Sequence, residues 1–370
     1  MAKRLPVTVI TGFLGAGKTT VLRHLLIRGG QRLAVMVNEF GSVGLDGDLI
    51  RSCGFCPEEE VDGRLVELNN GCLCCTVQDD FLPTMETLLE RADQLDGIVV
   101  ETSGLALPRP LLQALDWPAI RSRVHVNGVV TLVDGEALAA GSPVADAEAL
   151  ERQRAEDPSL DHLTAIDDLF EDQLQAADLV LISRADCLDA SAMAEVQGRI
   201  KDKVRPGTAL LPVSQGQVET SVVLGLEHKP TPLEAHHDHD HDHQHDHDHH
   251  DHSHVDMVGS NVRLEGALDR QALEQLLPSL VSNLQVVRLK GRVWLPSKTL
   301  PLQIQMVGPR LNSWFEAAPS HAWRPDQGCG ADLVVLALNE AAAPALESGL
   351  QRLVQATPAK ASPAAATPES

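Results

Sequence analysis

Tyrosine is absent from the 370-residue chain, and only six Phe and four Trp are present. Any buried core therefore rests on Leu, Val, Ile and Ala, which a 43% apolar content supplies in quantity. Positive charge is the second shortage: 30 Lys and Arg stand against 52 Asp and Glu, for a formal charge of −22. Nucleic acid and anionic membrane surfaces both need a basic counterpart, so neither is expected as a partner. No apolar run approaches the roughly 18 residues that a membrane helix requires. The apolar stretch behind Lys3 and Arg4 is only a strand's length, which argues against a signal peptide. The seven cysteines are an odd number, and five fall between Cys53 and Cys75. That clustering does not suit a disulfide framework. With no export signal the expected compartment is the reducing cytoplasm, where grouped thiols read as metal ligands or redox groups.

What is present is organised around residues 7–20, VTVITGFLGAGKTT. Val7, Thr8, Val9 and Ile10 read as a buried strand, and from Gly12 the chain spells G-x-x-x-x-G-K-T, followed by the apolar stripe of a helix at Val21, Leu22, Leu25 and Leu26. A polyphosphate is held by several backbone N–H groups at once. Gly12, Gly15, Ala16 and Gly17 form such a cradle, and the helix opening at Lys18 adds its positive end. Lys18 is placed to reach the β and γ phosphates, and Thr19 to give a hydroxyl to Mg²⁺. Length and composition suggest two domains.

Further strands are expected at residues 33–37, 65–68, 98–100, 129–133, 178–182 and 210–213, alternating with helices over about 200 residues. That pattern implies an α/β fold: a P-loop three-layer domain with a mostly parallel sheet, its ligands at the carboxyl ends of the strands. Glu39 follows the second strand and is a candidate metal ligand there. Glu101, in Glu101-Thr-Ser-Gly104 after the fourth, is placed to hold the Mg²⁺ hydration shell, with Gly104 free to move toward a γ-phosphate. After 178–182 comes Ser183-Arg184-Ala185-Asp186. Asp186 sits where an N-K-x-D sequence puts the carboxylate that accepts from both guanine donors. Arg184 would lay its stem over the base, and Ser183 replaces the Asn. Ser214 after the last strand faces the base edge. Residues 141–172 read as an acidic, partly helical surface insertion without an assigned role.

Cys72, Cys74 and Cys75 place three thiols within four residues, a set that converges on one soft or borderline cation. An extended backbone would point Cys72 and Cys74 to one side of Leu73. Zn²⁺ suits such a site, with a carboxylate, imidazole or water as fourth ligand. Cys53 and Cys56 form a C-x-x-C pair that is either half a zinc or redox site or incidental. From His236 to His254 the chain has eleven His and six Asp in nineteen residues. This reads as a disordered interdomain linker, about 221–258, that captures transition metals weakly and without selectivity. Beyond it, strands at 262–264, 284–295 with a glycine bend, 302–307 and 333–338, with helices at 269–280 and 341–355, make a small α+β C-terminal domain over 259–356. His321 and Cys329 stand alone there, and 357–370 is a polar tail.

With GFLGAGKTT, GCLCC, ETSG, a histidine-rich linker and a small C-terminal domain in this order, the chain resembles the CobW family of SIMIBI-class GTPases. These are metallochaperones that include cobalt-handling proteins of cobalamin biosynthesis and zinc-regulated metalloprotein activators. The resemblance implies that Gly15, Gly17, Lys18, Thr19 and Thr20 bind GTP phosphates and Mg²⁺. It places Glu39 in the first switch, Glu101 to Gly104 in the second, and the internal metal on Cys72, Cys74 and Cys75. It implies a GTPase that releases Co²⁺ or Zn²⁺ to a client metalloenzyme or cobalt chelatase, with cobalt delivery for corrin synthesis first and zinc second, and a metal- or GTP-dependent homodimer as an option; hydrolysis is expected to be slow because the sequence offers no clear glutamine or arginine finger. Two other readings stay open: a passive metal store built on the histidine tract, and a signalling GTPase or nucleotide kinase.

Overall fold

The computed structural model describes residues 4–28, 31–38, 65–68, 73–102, 104–146, 148, 150, 166–225, 257–320 and 322–356. Glu39, Cys53, Cys56, Cys72, Ser103, His321 and the tract 236–254 lie outside the described residues. The chain divides into two units, one holding residues 2–205 with 210–255, the other 256–370 with 206–209.

In the first unit seven strands form one sheet: β1 (Leu5–Gly12), β2 (Leu33–Asn38), β3 (Leu65–Leu68), β4 (Gly97–Glu101), β5 (Val124–Asp134), β6 (Leu179–Ser183) and β7 (Ala209–Pro212), in the order 3-2-4-1-5-6-7. The paired registers of β1 to β6 are parallel. All eight residues of β1 are buried, so both faces of the sheet are covered at its centre, as a parallel sheet requires. Val7 and Val9 pack with Phe81, Met85 and Leu88 of helix α2 (Leu73–Glu90) and Leu111 and Leu115 of α3 (Pro108–Leu115). Phe13, Leu105 and Val133 join Leu138 of α4 (Gly135–Ala139), Phe170 and Leu174 of α5 (Ile166–Ala176) and Val196 and Ile200 of α6 (Ala190–Lys201). Helix α1 (Lys18–Arg28) buries Val21, Leu22 and Leu25, three members of the stripe expected from sequence. A short α7 (Thr220–Leu224) closes the unit.

β5 starts five residues earlier than its apolar run because polar residues in its first half are satisfied inside the fold: buried Asn127 donates to Thr8 Oγ1 and to Leu224 O, both at 2.8 Å. The second correction concerns the cysteines. Leu73 opens α2, so Cys74 and Cys75 lie in the first turn of a helix and the extended alternation does not occur. The apolar period that ends in Phe81, Met85 and Leu88 carries the helix back to Leu73.

The second unit is a five-stranded antiparallel sheet of β8 (Val258–Glu265), β9 (Val286–Trp294), β10 (Leu302–Val307), β11 (Arg310–Phe315) and β12 (Gly330–Ala337), in the order 11-10-9-12-8. Leu273 and Leu277 of α8 (Arg270–Asn283) and Leu346 and Leu350 of α9 (Ala342–Ala356) pack on its core. Strand β11 was not expected, since Arg310, Asn312 and Ser313 hide its period and all six residues are half-buried. The glycine bend is absent too. Gly291 pairs with Ile304 on one side and Leu333 on the other without interruption. Glycine is needed there for room: a Cβ would fall 2.0 Å from Asp332 O. Gly291→Ala should therefore push β9 from β12, costing about 1–3 kcal/mol. Calorimetry of the full chain should show the C-terminal unit's transition lowered by roughly 5–15 °C.

Candidate functional site

The carboxyl ends of β1, β4, β5, β6 and β7 bring the predicted nucleotide residues to one edge. Gly12, Gly15 and Gly17 have φ of 139°, 76° and 93°, as a backbone cradle of inward N–H groups demands. Ala16 is buried and its N–H donates to Phe13 O at 3.2 Å, which closes the loop. Lys18 is 8% exposed, and its Nζ donates to Gly12 O at 2.9 Å and Phe13 O at 3.1 Å. The ammonium thus rests on the loop's own carbonyls, ready to exchange them for phosphate oxygens. Thr19 Oγ1 donates to Glu101 Oε1 at 3.4 Å, and Glu101 is 3% exposed. A hydroxyl and a carboxylate converging beside a phosphate cradle are hard oxygen donors that fit Mg²⁺ and would hold it there. Thr20, next on α1, is exposed. On α1 burial, and then Arg28, hold the His24 imidazole below its ordinary value against Val218 and Glu219, which leaves it neutral near pH 7.

The turn behind β4 lies against the phosphate loop. Thr102 N donates to Ile10 O at 2.9 Å and its Oγ1 to Thr11 Oγ1 at 3.0 Å. Gly104 is closer still: a Cβ on it would meet Leu14 N at 2.6 Å. The turn is braced from α5, where Gln173 Nε2 donates to Gly104 O at 3.1 Å and Ala106 O at 3.2 Å. Sequence reasoning missed Gln173, since a glutamine inside an acidic helical stretch carries no signal of a partner 69 residues earlier.

At the base-reading end Ser183 is buried, and its Oγ donates to Val133 O at 3.2 Å. A Cβ on Gly17 would lie 3.7 Å from Ser183 Cβ, so the residue standing for Asn touches the phosphate loop. Arg184 has φ 53°, and its Nη1 pairs with Asp134 Oδ2 at 2.9 Å and Glu136 Oε2 at 3.4 Å. Its guanidinium is thereby committed to the end of β5 and only its stem is left for a base. Asp134, 1% exposed, also accepts from Ala137 N at 3.0 Å and so caps α4. It was seen only as a strand end, although an acid just before a helix start is an N-cap signal. Asp186 is exposed on the turn that follows, and Ala185 N ties that turn to Val213 O at 3.2 Å. Ser214, half-buried, begins a turn closed by Gln217 N on its carbonyl at 2.9 Å. Ser183, Arg184, Asp186 and Ser214 thus share one corner.

The metal residues are placed only through their strands. Ile10, Glu101, Val37 and Glu67 form one row across β1, β4, β2 and β3. Glu39 follows β2 directly, and Cys72 comes four residues after the end of β3. At about 4.8 Å per strand, β3 stands roughly 10 Å from β4 and 14 Å from β1. No group of three potential metal ligands occurs among the described residues. Cys187 and Cys329 are free thiols, and burial pushes that of Cys329 up. No helix among the described residues is long and apolar enough to cross a membrane.

Residues 6–212 match the family model for the CobW/HypB/UreG nucleotide-binding domain, and 257–354 that for the cobalamin synthesis protein cobW C-terminal domain. The chain is 45% identical to a zinc chaperone CobW of Pseudomonas aeruginosa over 90% of its own length and 87% of the relative's. It is 41% identical to a zinc chaperone CobW of Sinorhizobium, over 95% and 98%. A zinc-regulated GTPase metalloprotein activator of Schizosaccharomyces pombe is 44% identical over 35% of this chain and 32% of its own.

Proposed function

The chain belongs to the CobW family of metallochaperone GTPases, and from that premise we propose that its cargo is zinc, held by Cys72, Cys74 and Cys75 while GTP is bound and released to a client metalloenzyme on hydrolysis. Glu39 is the candidate fourth ligand. The observation that carries the reading is the strand order: β2, which leads into Glu39, lies between β3, which leads into the cysteines, and β4, which ends in Glu101. A γ-phosphate drawing on the segments after β2 and β4 therefore acts on the immediate neighbours of the cysteine segment.

Zinc takes precedence over cobalt on two grounds: relatives that match nearly end to end are named zinc chaperones, and thiolate sites bind Zn²⁺ ahead of Co²⁺. Cobalt delivery is the second reading, favoured by the name of the C-terminal family model. Linkage requires that GTP raise zinc affinity by the factor by which zinc raises GTP affinity. Titrating Zn²⁺ with Mg²⁺ and a non-hydrolysable GTP analogue should give at least about tenfold tighter binding than with GDP, a coupling of ordinary size. Deleting residues 236–254 should leave that ratio intact. Equal affinities in the two nucleotide states would end the proposal, and loss of the tight site with the tract would favour a passive store.

A further inference from the structure

We propose that Gln173 is a positioning residue of the nucleotide cycle: its carboxamide holds the turn at Gly104–Ala106 against helix α5 and gives it up when a γ-phosphate draws Gly104 inward. Gln173 is 0% exposed. Both groups that it grips are carbonyls, which fixes the amide with its nitrogen toward the turn. Oε1 is then buried without a hydrogen-bond partner among the described residues. A half-satisfied buried amide is a poor permanent strut and a suitable latch, because its release exposes no fully matched set of bonds. The anchor behind the latch is firm, since the Gln173 carbonyl accepts from Thr131 Oγ1 of β5 at 3.2 Å. Three residues earlier on α5, Phe170 packs on Phe13 of the phosphate loop with ring centroids 5.9 Å apart.

Helix α5 thus touches the cradle at one point and the turn after β4 at another. Gly104 has no free space toward Leu14, and drawing the residue as a whole toward a γ-phosphate displaces the carbonyl that Gln173 holds. The latch therefore opposes the triphosphate state and leaves the diphosphate state alone.

This inference rests on the reading of Gly104 as the triphosphate sensor. The test uses the full chain with Mg²⁺ and compares affinities for a non-hydrolysable GTP analogue and for GDP. Gln173→Met, which keeps the volume and removes the donors, should raise the preference for the analogue about tenfold, as expected for two neutral hydrogen bonds. Thr131→Val, which removes the anchor behind the latch, should raise it in the same direction but by less. In the unaltered protein the amides of residues 166–176 should exchange faster with analogue than with GDP, a measurement that needs no variant to fold. An unchanged preference in Gln173→Met, or identical exchange in the two states, overturns the latch. If the unaltered protein itself fails to distinguish analogue from GDP, the sensor reading falls with it.

Discussion

Replacing Lys18 by methionine is expected to weaken GTP binding by about 10²–10⁴-fold, the worth of two charge-assisted hydrogen bonds to phosphate oxygens. The lower part of that range is favoured because Lys18 does not arrive free: its Nζ gives up Gly12 O and Phe13 O when it turns to the nucleotide. Methionine keeps the buried stem, so the melting temperature should stay near that of the unaltered protein while calorimetric titration loses GTP. Affinity within threefold of the unaltered protein would mean that the ammonium never leaves the loop carbonyls. Zinc coupling should vanish with GTP binding, since a nucleotide that does not bind cannot bias the thiol site.

Much of this was legible in the sequence for a plain reason. Strands β1, β2, β4 and β6 are apolar runs in a parallel sheet covered on both faces, and burial on both sides leaves an uninterrupted Val, Ile and Leu signature. The phosphate loop is equally plain because its glycines answer a backbone need that no other residue meets as well. The hidden parts all depend on contacts that are distant in sequence. β11 and the first half of β5 carry polar residues whose partners lie elsewhere in the fold. Gly291 looks like a bend until Asp332 is seen pressing on it. Local spacing suggested an extended C-x-C, yet the apolar stripe downstream carries the helix through Cys74 and Cys75.

The site divides in the same way. Residues that sit next to one another in sequence, Gly12 through Thr20 and Ser183 through Asp186, stand out as motifs. Those that hold them, Asp134 on Arg184 and Gln173 on Gly104, do not, because a single acid or amide gains meaning only from its partner. The Arg184 pairing also alters the expected base contact. With Asp134 and Glu136 holding the guanidinium, Asp186→Ala is the substitution expected to cost the preference for guanine.

Gly104→Ala is expected to separate the two nucleotide states, leaving GDP binding close to that of the unaltered protein and lowering the turnover of GTP by about 10²–10³-fold, the usual cost of losing one donor to developing charge. The cause is steric before it is electronic. A Cβ there would stand 2.6 Å from Leu14 N and 3.2 Å from Leu14 Cα, both backbone atoms of the cradle, so the turn must retreat and its N–H cannot come to the γ-phosphate. Gly15→Ala is the contrasting case, since nothing lies within 4 Å of the added carbon and only the φ of 76° is strained. It should weaken GTP and GDP together, by about tenfold for roughly 1–2 kcal/mol of backbone strain. If Gly104→Ala also weakened both nucleotides equally, the turn would be part of the general phosphate site and not its triphosphate sensor. The route from nucleotide to zinc would then have to run through the segment after β2 alone.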